Sequence, residues 1–239
     1  MNYLPLSSPD SKRILFTLSR KGSIDQLLTS NPTLELQYRA DASKLSQSIK
    51  IMEQDGVAPI LPDGKTGGNA CCVLEPPFSN NKSLLVSKSG KHSNSPLLIT
   101  DVCFIHSFDL QNWSCEFSSS SEDIRPSSDT PLYWACLIAA PEKFQWKLKP
   151  SFAMHGHASA NDQDCIKWNI PVSDKETRFS TREDVQEMLS LLEKWPYPEN
   201  KVFLRKKHGF FILGQNAQEV FDIYESQVKT KFTEVINSE

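Results

Sequence analysis

The chain has 239 residues, of which 38% are hydrophobic, and a formal net charge of −3 at pH 7. This length and composition are typical of one large globular domain. The 26 basic residues are outnumbered by 29 acidic ones, which excludes a nucleic-acid partner because phosphate binding needs a basic surface. The short basic run at residues 205–207 is predicted to be solvated surface. No apolar run approaches the roughly 20 residues of a membrane-spanning helix, so a membrane partner is excluded as well.

The six cysteines lie mostly within apolar segments, and no two of them have Cys-X-X-Cys spacing. This usage indicates buried free thiols in a reducing compartment. The first residues lack the continuous apolar stretch of a secretory signal. We therefore expect a cytoplasmic protein.

The first half of the chain is predicted to change from helix to strand. Residues 1–55 are expected to form a helical N-terminal extension, because apolar side chains recur at helical spacing from 40 to 52. A loop that contains proline and glycine follows at 62–68. Short apolar runs bounded by polar turns then predict four strands, at 70–74, 83–87, 102–108 and 113–117.

The second half alternates between helix and strand. A helix is predicted to begin with Thr130 as its N-cap and Pro131 at its first position, and to end before Pro141. Capping sequences predict two further helices, one from 180 to 194 and one after Asn216. Short apolar runs predict strands at 151–154, 202–204 and 210–213. This order indicates a single three-layer α/β domain around a central sheet, spanning residues 1–239.

His155 and His157 follow the apolar run at 151–154 and are two residues apart. In a strand such residues point to the same face, where two imidazoles form a pair of ligands for zinc or a similar ion. A third histidine, His208, follows another predicted strand. The pattern therefore predicts a three-histidine metal site, with ordinary core or surface histidines as the alternative.

Five separated segments resemble, in order, the motifs of the class II (metal-dependent) aldolase/adducin family, and fuculose-phosphate aldolases and ribulose-phosphate 4-epimerases are its most similar branches. They are the Gly-Asn loop at 66–71, the strand ending in Ser-Gly at 85–90, the Pro-Ser-Ser-Asp-Thr-Pro segment at 125–132, the His-Gly-His segment at 155–157, and the closing His-Gly segment at 204–209. The match covers residues 60–239. It implies the fold of this family, a mostly antiparallel central sheet flanked by helices.

The resemblance also implies roles for individual residues. His155, His157 and His208 would bind a divalent metal, with Zn²⁺ expected first and Mn²⁺, Co²⁺ or Fe²⁺ as alternatives. Asp129 would be the catalytic carboxylate that moves a proton, although a purely structural role at the start of a helix is the alternative.

Six further positions match the substrate- or phosphate-binding positions of the family. Glycine and a helix N-terminus both let backbone N–H groups approach an anion, although ordinary turn and cap chemistry is the alternative. The positions are Gly68, Asn69, Ser89, Gly90, Ser127 and Ser128. The chain departs from the family pattern at Gly67, where serine is common, and at Lys88, where proline is common.

The function that the resemblance implies is that of a class II aldolase-like lyase. It would cleave or form a carbon–carbon bond in a small hydroxylated carbonyl compound, with a phosphorylated sugar as the expected substrate, through a metal-stabilised enediolate. A sugar-phosphate 4-epimerase is an alternative, since that branch has aspartate at the position of Asp129. A non-catalytic adducin-like scaffold and an iron-dependent oxygenase or decarboxylase on the same fold are the others. The resemblance also implies a homotetramer.

Overall fold

A computed structural model describes residues 13–61, 63–74, 82–93, 95–158 and 160–238. Its centre is a single sheet of eight strands in the order β1-β5-β4-β3-β2-β6-β8-β7. The strands are β1 Thr17–Ser23, β2 Asn69–Leu74, β3 Ser83–Ser87, β4 Val102–Asp109, β5 Ser114–Ser119, β6 Phe152–Gly156, β7 Val202–Arg205 and β8 Gly209–Gly214.

The sheet is mixed, with one parallel pair of strands at its edge. Strand β1 runs parallel to β5, whereas each of the other adjacent pairs is antiparallel. The prediction of a mostly antiparallel sheet is corrected here to a mixed sheet, because residues 17–23, which form the parallel edge strand β1, are predicted from sequence to be helical.

Helices cover both faces of the sheet. They are α1 Ile24–Thr29, α2 Pro32–Gln54, α3 Thr130–Trp134, α4 Ala140–Lys143, α5 Asp162–Trp168, α6 Arg182–Lys194, α7 Ala217–Ile223 and α8 Thr230–Ser238. One hydrophobic cluster joins the sheet to α2, α7 and α8, and a second joins the opposite face to α3 and α6. Neighbouring residues of β6 divide between the two clusters, Met154 in the first and Ala153 in the second, as strand alternation requires. The architecture is therefore α/β with three layers.

The predicted helical extension at residues 1–55 is wrong for Thr17–Ser23, which form the edge strand β1. The apolar residues in this part of the sequence have no clear helical or strand period. The backbone hydrogen bonds of β1 as a strand are made through its pairing with β5. The helical prediction is confirmed for α1 and α2. Residues 1–12 of the predicted extension lie outside the described residues.

Two boundaries of the helix after Asp129 differ from the prediction. The N-cap is Asp129 rather than Thr130, and Pro131 therefore lies one position further into the helix. A π-helical turn, Ala135–Ala139, then leads into α4, so the chain continues in helical form past Pro141. The π turn interrupts the ordinary ladder of hydrogen bonds, and Pro141 is tolerated there because it follows this interruption directly.

No helix within the described ranges has the length and apolar character that crossing a bilayer requires.

Candidate metal centre

His155 lies at the centre of the sheet, near the end of β6. It pairs with Asn69 of β2 on one side and with Phe211 of β8 on the other. Its ring is completely buried and stacks on Phe211, with 4.5 Å between the ring centroids. Nδ1 lies 2.7 Å from the carbonyl oxygen of Phe210. Since a carbonyl only accepts hydrogen bonds, Nδ1 carries the proton and the lone pair of His155 is on Nε2.

The other two predicted ligands lie against His155. The ring centroids are 4.8 Å apart for His155 and His157, 4.7 Å for His157 and His208, and 5.2 Å for His155 and His208. The turn between β7 and β8 brings His208 into place, because its backbone N–H donates to the carbonyl of Arg205 at 3.0 Å. Asp129 and the three histidines each offer one ligand atom, and these four atoms lie within 4.8 Å of one another.

Glycines allow the strands that carry the histidines to approach this closely. Gly209 has φ +148°, and a Cβ there would overlap the carbonyl oxygen of Gly156. A Cβ on Gly156 would lie 2.5 Å from the ring of Phe210. At Gly67, a Cβ would lie 3.0 Å from the ring of His157. The departure from the family motif at Gly67 and the glycine at position 156 therefore have a local steric reason in this chain.

Asp129 turns its side chain toward the histidines. It occupies the N-cap position of α3, yet its carboxylate makes no capping hydrogen bond. Oδ2 accepts a hydrogen bond from Nδ2 of Asn69 at 2.8 Å and lies 3.9 Å from Nε2 of His155. Oδ1 faces Nη1 of Arg205 at 3.5 Å. The amide of Asn69 is itself oriented by the hydroxyl of Tyr133, which donates to its Oδ1. This geometry does not match the alternative in which the Asp129 carboxylate only caps a helix.

The electrostatics of the cluster keep the imidazoles neutral and the carboxylate charged. Burial lowers the pKa of His155 to about 4 and that of His157 to about 3. Burial likewise holds the pKa of His208 well below its usual value. For Asp129, burial acts to raise the pKa, but the neighbouring histidines and the Arg205 guanidinium outweigh it and lower the pKa overall. At neutral pH the cluster therefore offers three imidazole lone pairs and one carboxylate.

This donor set fits a divalent cation. The Nε2 atoms of His155 and His208 are buried and have no hydrogen-bond partner, which is costly for a polar atom unless something else binds it. Neutral imidazoles with a nearby carboxylate are the ligands that zinc and similar ions accept. The hydrogen bond from Nδ1 of His155 to a carbonyl is the outer contact that typically orients a metal-binding histidine.

The predicted anion-binding positions are Gly68, Asn69, Ser89, Gly90, Ser127 and Ser128, and the structure places two of them at Asp129. Asn69 donates to its carboxylate, and the hydroxyl of Ser127 accepts from its backbone N–H at 3.2 Å. Ser89 and Gly90 lie next to the segment that carries Ser127, because the N–H of Ser89 donates to the carbonyl of Arg125 at 2.8 Å. Asn69 and Ser127 therefore also hold Asp129 in its orientation.

The remaining two positions, Gly68 and Ser128, are next in sequence to Asn69 and Asp129. Gly68 packs closely on helix α2 and the segment after it, since a Cβ there would lie 2.7 Å from that of Ala58 and 3.1 Å from Cε of Met52. Ser128 precedes Asp129 and is half-buried. Anion binding by all six residues stays a prediction.

Sequence reasoning missed three residues beside the cluster, namely Tyr133, Asp184 and Arg205. Residues 205–207 were predicted to be solvated surface, which is wrong for Arg205, because only 3% of it is exposed. The signal that was available is strand alternation: Arg205 is two residues after the buried Phe203 and so shares its face of the sheet. Asp184 and Tyr133 carried no comparable signal, since their partners are distant in the sequence.

Comparisons with known proteins address the fold. No protein-family model matches the chain, and no curated protein matches it significantly. Among solved structures, it is similar to a sugar-phosphate aldolase from Thermotoga maritima, with a TM-score of 0.60 and 14% identity over 86% of this chain and 95% of that one. It is also similar to the N-terminal class II aldolase domain of a conserved Thermoplasma acidophilum protein, with a TM-score of 0.53 and 15% identity over 82% and 93% of the two chains. YgbL from Escherichia coli, a putative aldolase/epimerase/decarboxylase, gives a TM-score of 0.53 and 14% identity over 83% and 89%. The predicted resemblance is thus confirmed at the level of structure: the chain has the class II aldolase fold.

Proposed function

We propose that this protein is a metal-dependent, aldolase-type lyase that cleaves or forms a carbon–carbon bond in a small hydroxylated carbonyl compound, with a sugar phosphate as the substrate. The observation that carries the proposal is the cluster of three neutral histidines and one ionised carboxylate at the end of β6. The fold supports it, since the similar solved structures described above include a sugar-phosphate aldolase.

In this proposal His155, His157 and His208 bind the metal through ring nitrogens. Zn²⁺ is our first choice because it favours three imidazoles and keeps an open position for substrate. A divalent cation bound there would supply a Lewis acid beside the substrate oxygens, where negative charge develops as the carbon–carbon bond breaks. The hydrogen bond from His155 Nδ1 to the Phe210 carbonyl keeps Nε2 unprotonated and directed at the cluster.

Asp129 is the group that moves the proton. Its carboxylate is ionised at neutral pH, and Oδ2 is the oxygen on the histidine side. In the cleavage direction Oδ2 would accept the proton of the substrate hydroxyl as its C–O bond becomes a carbonyl, and would return it in the reverse direction. Asn69 holds Oδ2 in place through its amide N–H.

A sugar-phosphate 4-epimerase is the second candidate. It would use the same bond cleavage, followed by re-addition to the other face of the carbonyl. The observation that favours it is the short side chain of Asp129, since the epimerase branch that the sequence resembles has aspartate at this position. Asp129 is held at two points, by Asn69 and Arg205, so its reach is fixed by the position of α3.

Further proposals concern the rest of the molecule. Gly68, Asn69, Ser89, Gly90, Ser127 and Ser128 would bind the anionic group of the substrate. The chain would act as one domain, since a single hydrophobic cluster contains residues from Ile24 to Phe232.

We propose a cytoplasmic location because all six cysteines are buried free thiols, which suit a reducing compartment. We also propose a homotetramer, on the resemblance alone.

The test is a metal analysis followed by an assay. The purified protein should contain or take up one divalent ion per chain. It should release an aldehyde and a ketone phosphate from one member of a panel of ketose phosphates. Interconversion of two ketose phosphates, without release of these products, would identify the epimerase.

His155→Ala should lose both metal and turnover, because it removes a ligand at the centre of the cluster. His106→Ala is the matched control, since His106 bonds to Ser118 and lies outside the cluster. A protein without affinity for any divalent metal would refute the proposal.

A further inference from the structure

A row of three buried charges leads away from the histidines. Arg205, the last residue of β7, places Nη1 3.5 Å from Oδ1 of Asp129, and its Nη2 forms a close ion pair with Oδ1 of Asp184. The side chains of all three are at most 3% exposed. Burying charges is costly even when they are paired, so a buried ion pair is weak evidence for a role in stability alone. The row ends at the carboxylate of the metal centre, which suggests a role there.

We propose that Arg205 is a positioning residue that holds the Asp129 carboxylate so that only Oδ2 faces the histidine cluster. This inference rests on the proposed function, because it concerns the same site. The two oxygens of Asp129 have different partners: Oδ2 contacts Asn69 and His155, whereas Oδ1 contacts Arg205. A free carboxylate can bind a cation through one oxygen or both, and a guanidinium at Oδ1 keeps that oxygen away from the ion.

Arg205 is itself held from the opposite side. Asp184 lies in the first turn of α6, and its Oδ1 accepts hydrogen bonds from both Arg205 and the hydroxyl of Thr177, the latter at 2.8 Å. The backbone N–H of Asp184 donates to the hydroxyl of Thr181 at 3.3 Å. Arg205 therefore lies between two carboxylates that are fixed by different helices. With both carboxylates charged, the row carries a net charge of −1, which complements a bound divalent cation.

A merely structural role makes a different prediction. If Arg205 only joins α6 to the sheet, its replacement lowers stability and leaves the environment of a bound metal ion unchanged. If it positions Asp129, its replacement frees Oδ1 and raises the number of oxygen ligands around the ion. The visible absorption of bound Co²⁺ separates the two, because its intensity and position depend on coordination number and geometry.

The experiment compares Co²⁺-loaded parent protein with Arg205→Met, Arg205→Lys and Thr177→Val. We expect Arg205→Met to weaken and shift the Co²⁺ absorption and to lower turnover by about 10- to 100-fold, the usual effect of removing an outer partner of a metal site. Arg205→Lys should largely restore the parent spectrum. Thr177→Val alters a half-buried residue and should give a smaller shift in the same direction.

A double substitution tests whether Arg205 acts through Asp129. In an Asp129→Asn background, Arg205→Met should cause no further spectral change. A bound Co²⁺ spectrum that is unchanged in folded Arg205→Met would overturn the positioning role; if that variant does not fold, an unchanged spectrum in Thr177→Val overturns it instead. A parent protein that binds no Co²⁺ or other divalent metal refutes the proposed function itself, so the two failures are distinguishable.

Discussion

Gly156 separates His155 of β6 from His157, which follows the strand, and leaves the space that the ring of Phe210 fills. A side chain at Gly156 would point to the sheet face opposite His155 and His157, where Phe210 packs in the cluster under α7 and α8. The ring of Phe210 therefore requires a residue without Cβ between His155 and His157. The identity of one residue in the motif is thus decided by packing on the far side of the sheet.

Gly156→Ala should lower the free energy of unfolding by about 1–3 kcal/mol, since its Cβ would press on the ring of Phe210 and on the carbonyl of Val57. Urea denaturation of the metal-free protein measures the change. Phe210→Leu removes the ring edge but leaves Val57 in place, so Gly156→Ala with Phe210→Leu should be less destabilised than the sum of the two single variants. If the losses in the free energy of unfolding were strictly additive, the ring of Phe210 would not be the reason for glycine at position 156.

The grouping of the three histidines could be predicted from sequence, whereas the residues that orient Asp129 could not. His155 and His157 are two residues apart at the end of an apolar strand, His208 follows another apolar strand, and both signals are local. The contacts of Asp129 with Asn69 and Arg205 span 60 and 76 residues of sequence. Such contacts depend on which strands become neighbours, and residue spacing carries no information about that.

At the scale of elements, helix α6 connects ordinary capping chemistry to the candidate metal centre. The helix begins at Arg182, and its N-cap Thr181 accepts a hydrogen bond from the N–H of Asp184. The carboxylate of Asp184 points at Arg205 instead of at solvent, and only 1% of the side chain is exposed. The first turn of α6 therefore fixes both its own start and one end of the buried row of charges.

Thr181→Ala should lower the free energy of unfolding by about 1 kcal/mol, because it removes the N-cap acceptor of α6. Thr181→Ser keeps the hydroxyl and should retain nearly all of the stability. Thermal and urea unfolding of the two variants and the parent provide the comparison. Equal losses for alanine and serine would mean that the hydroxyl contributes little and that the methyl group of Thr181 matters instead.

Two helix starts and most strands were predictable from local chemistry, but β1 was not. Thr181 and Asn216 cap helices α6 and α7 through their own side-chain oxygen atoms, and such caps are visible in a sequence. Strand β1 alternates only between exposed and half-buried positions, so it lacks a strong apolar period. Its form depends on pairing with β5, more than 90 residues away along the chain.

At the scale of the whole molecule, the ordered motifs along the chain predicted the fold better than any single element did. The helical and strand segments matched in outline, and the resemblance of the ordered motifs implied the class II aldolase fold, although the sheet proved to be mixed. The fold then concentrates buried titratable groups at one end of β6. This concentration has a consequence for the stability of the entire chain as the pH changes.

The metal-free protein should lose stability between about pH 6.5 and pH 4. Burial lowers the pKa of His155 to about 4 and of His157 to about 3, and that of His208 also lies well below its usual value. Over this range the unfolded chain takes up three protons that the folded chain does not, so stability falls as the pH falls. Burial raises the pKa of Asp184 to about 6, which acts in the opposite direction and offsets up to one proton. Near pH 5 the net difference is about two protons, or roughly 2–3 kcal/mol per pH unit.

Urea denaturation of the metal-free protein at pH 5, 6 and 7 measures this slope. His208→Gln removes one of the three histidines and should reduce the slope by about one proton, roughly 1.4 kcal/mol per pH unit, because the unfolded chain then has one fewer site to protonate. His92→Gln is the matched control, since His92 lies outside the cluster. A free energy of unfolding that is constant or rises from pH 7 to pH 5 would contradict the assignment of the three histidines as neutral in the folded chain, since only neutral imidazoles give the unfolded state its excess of bound protons.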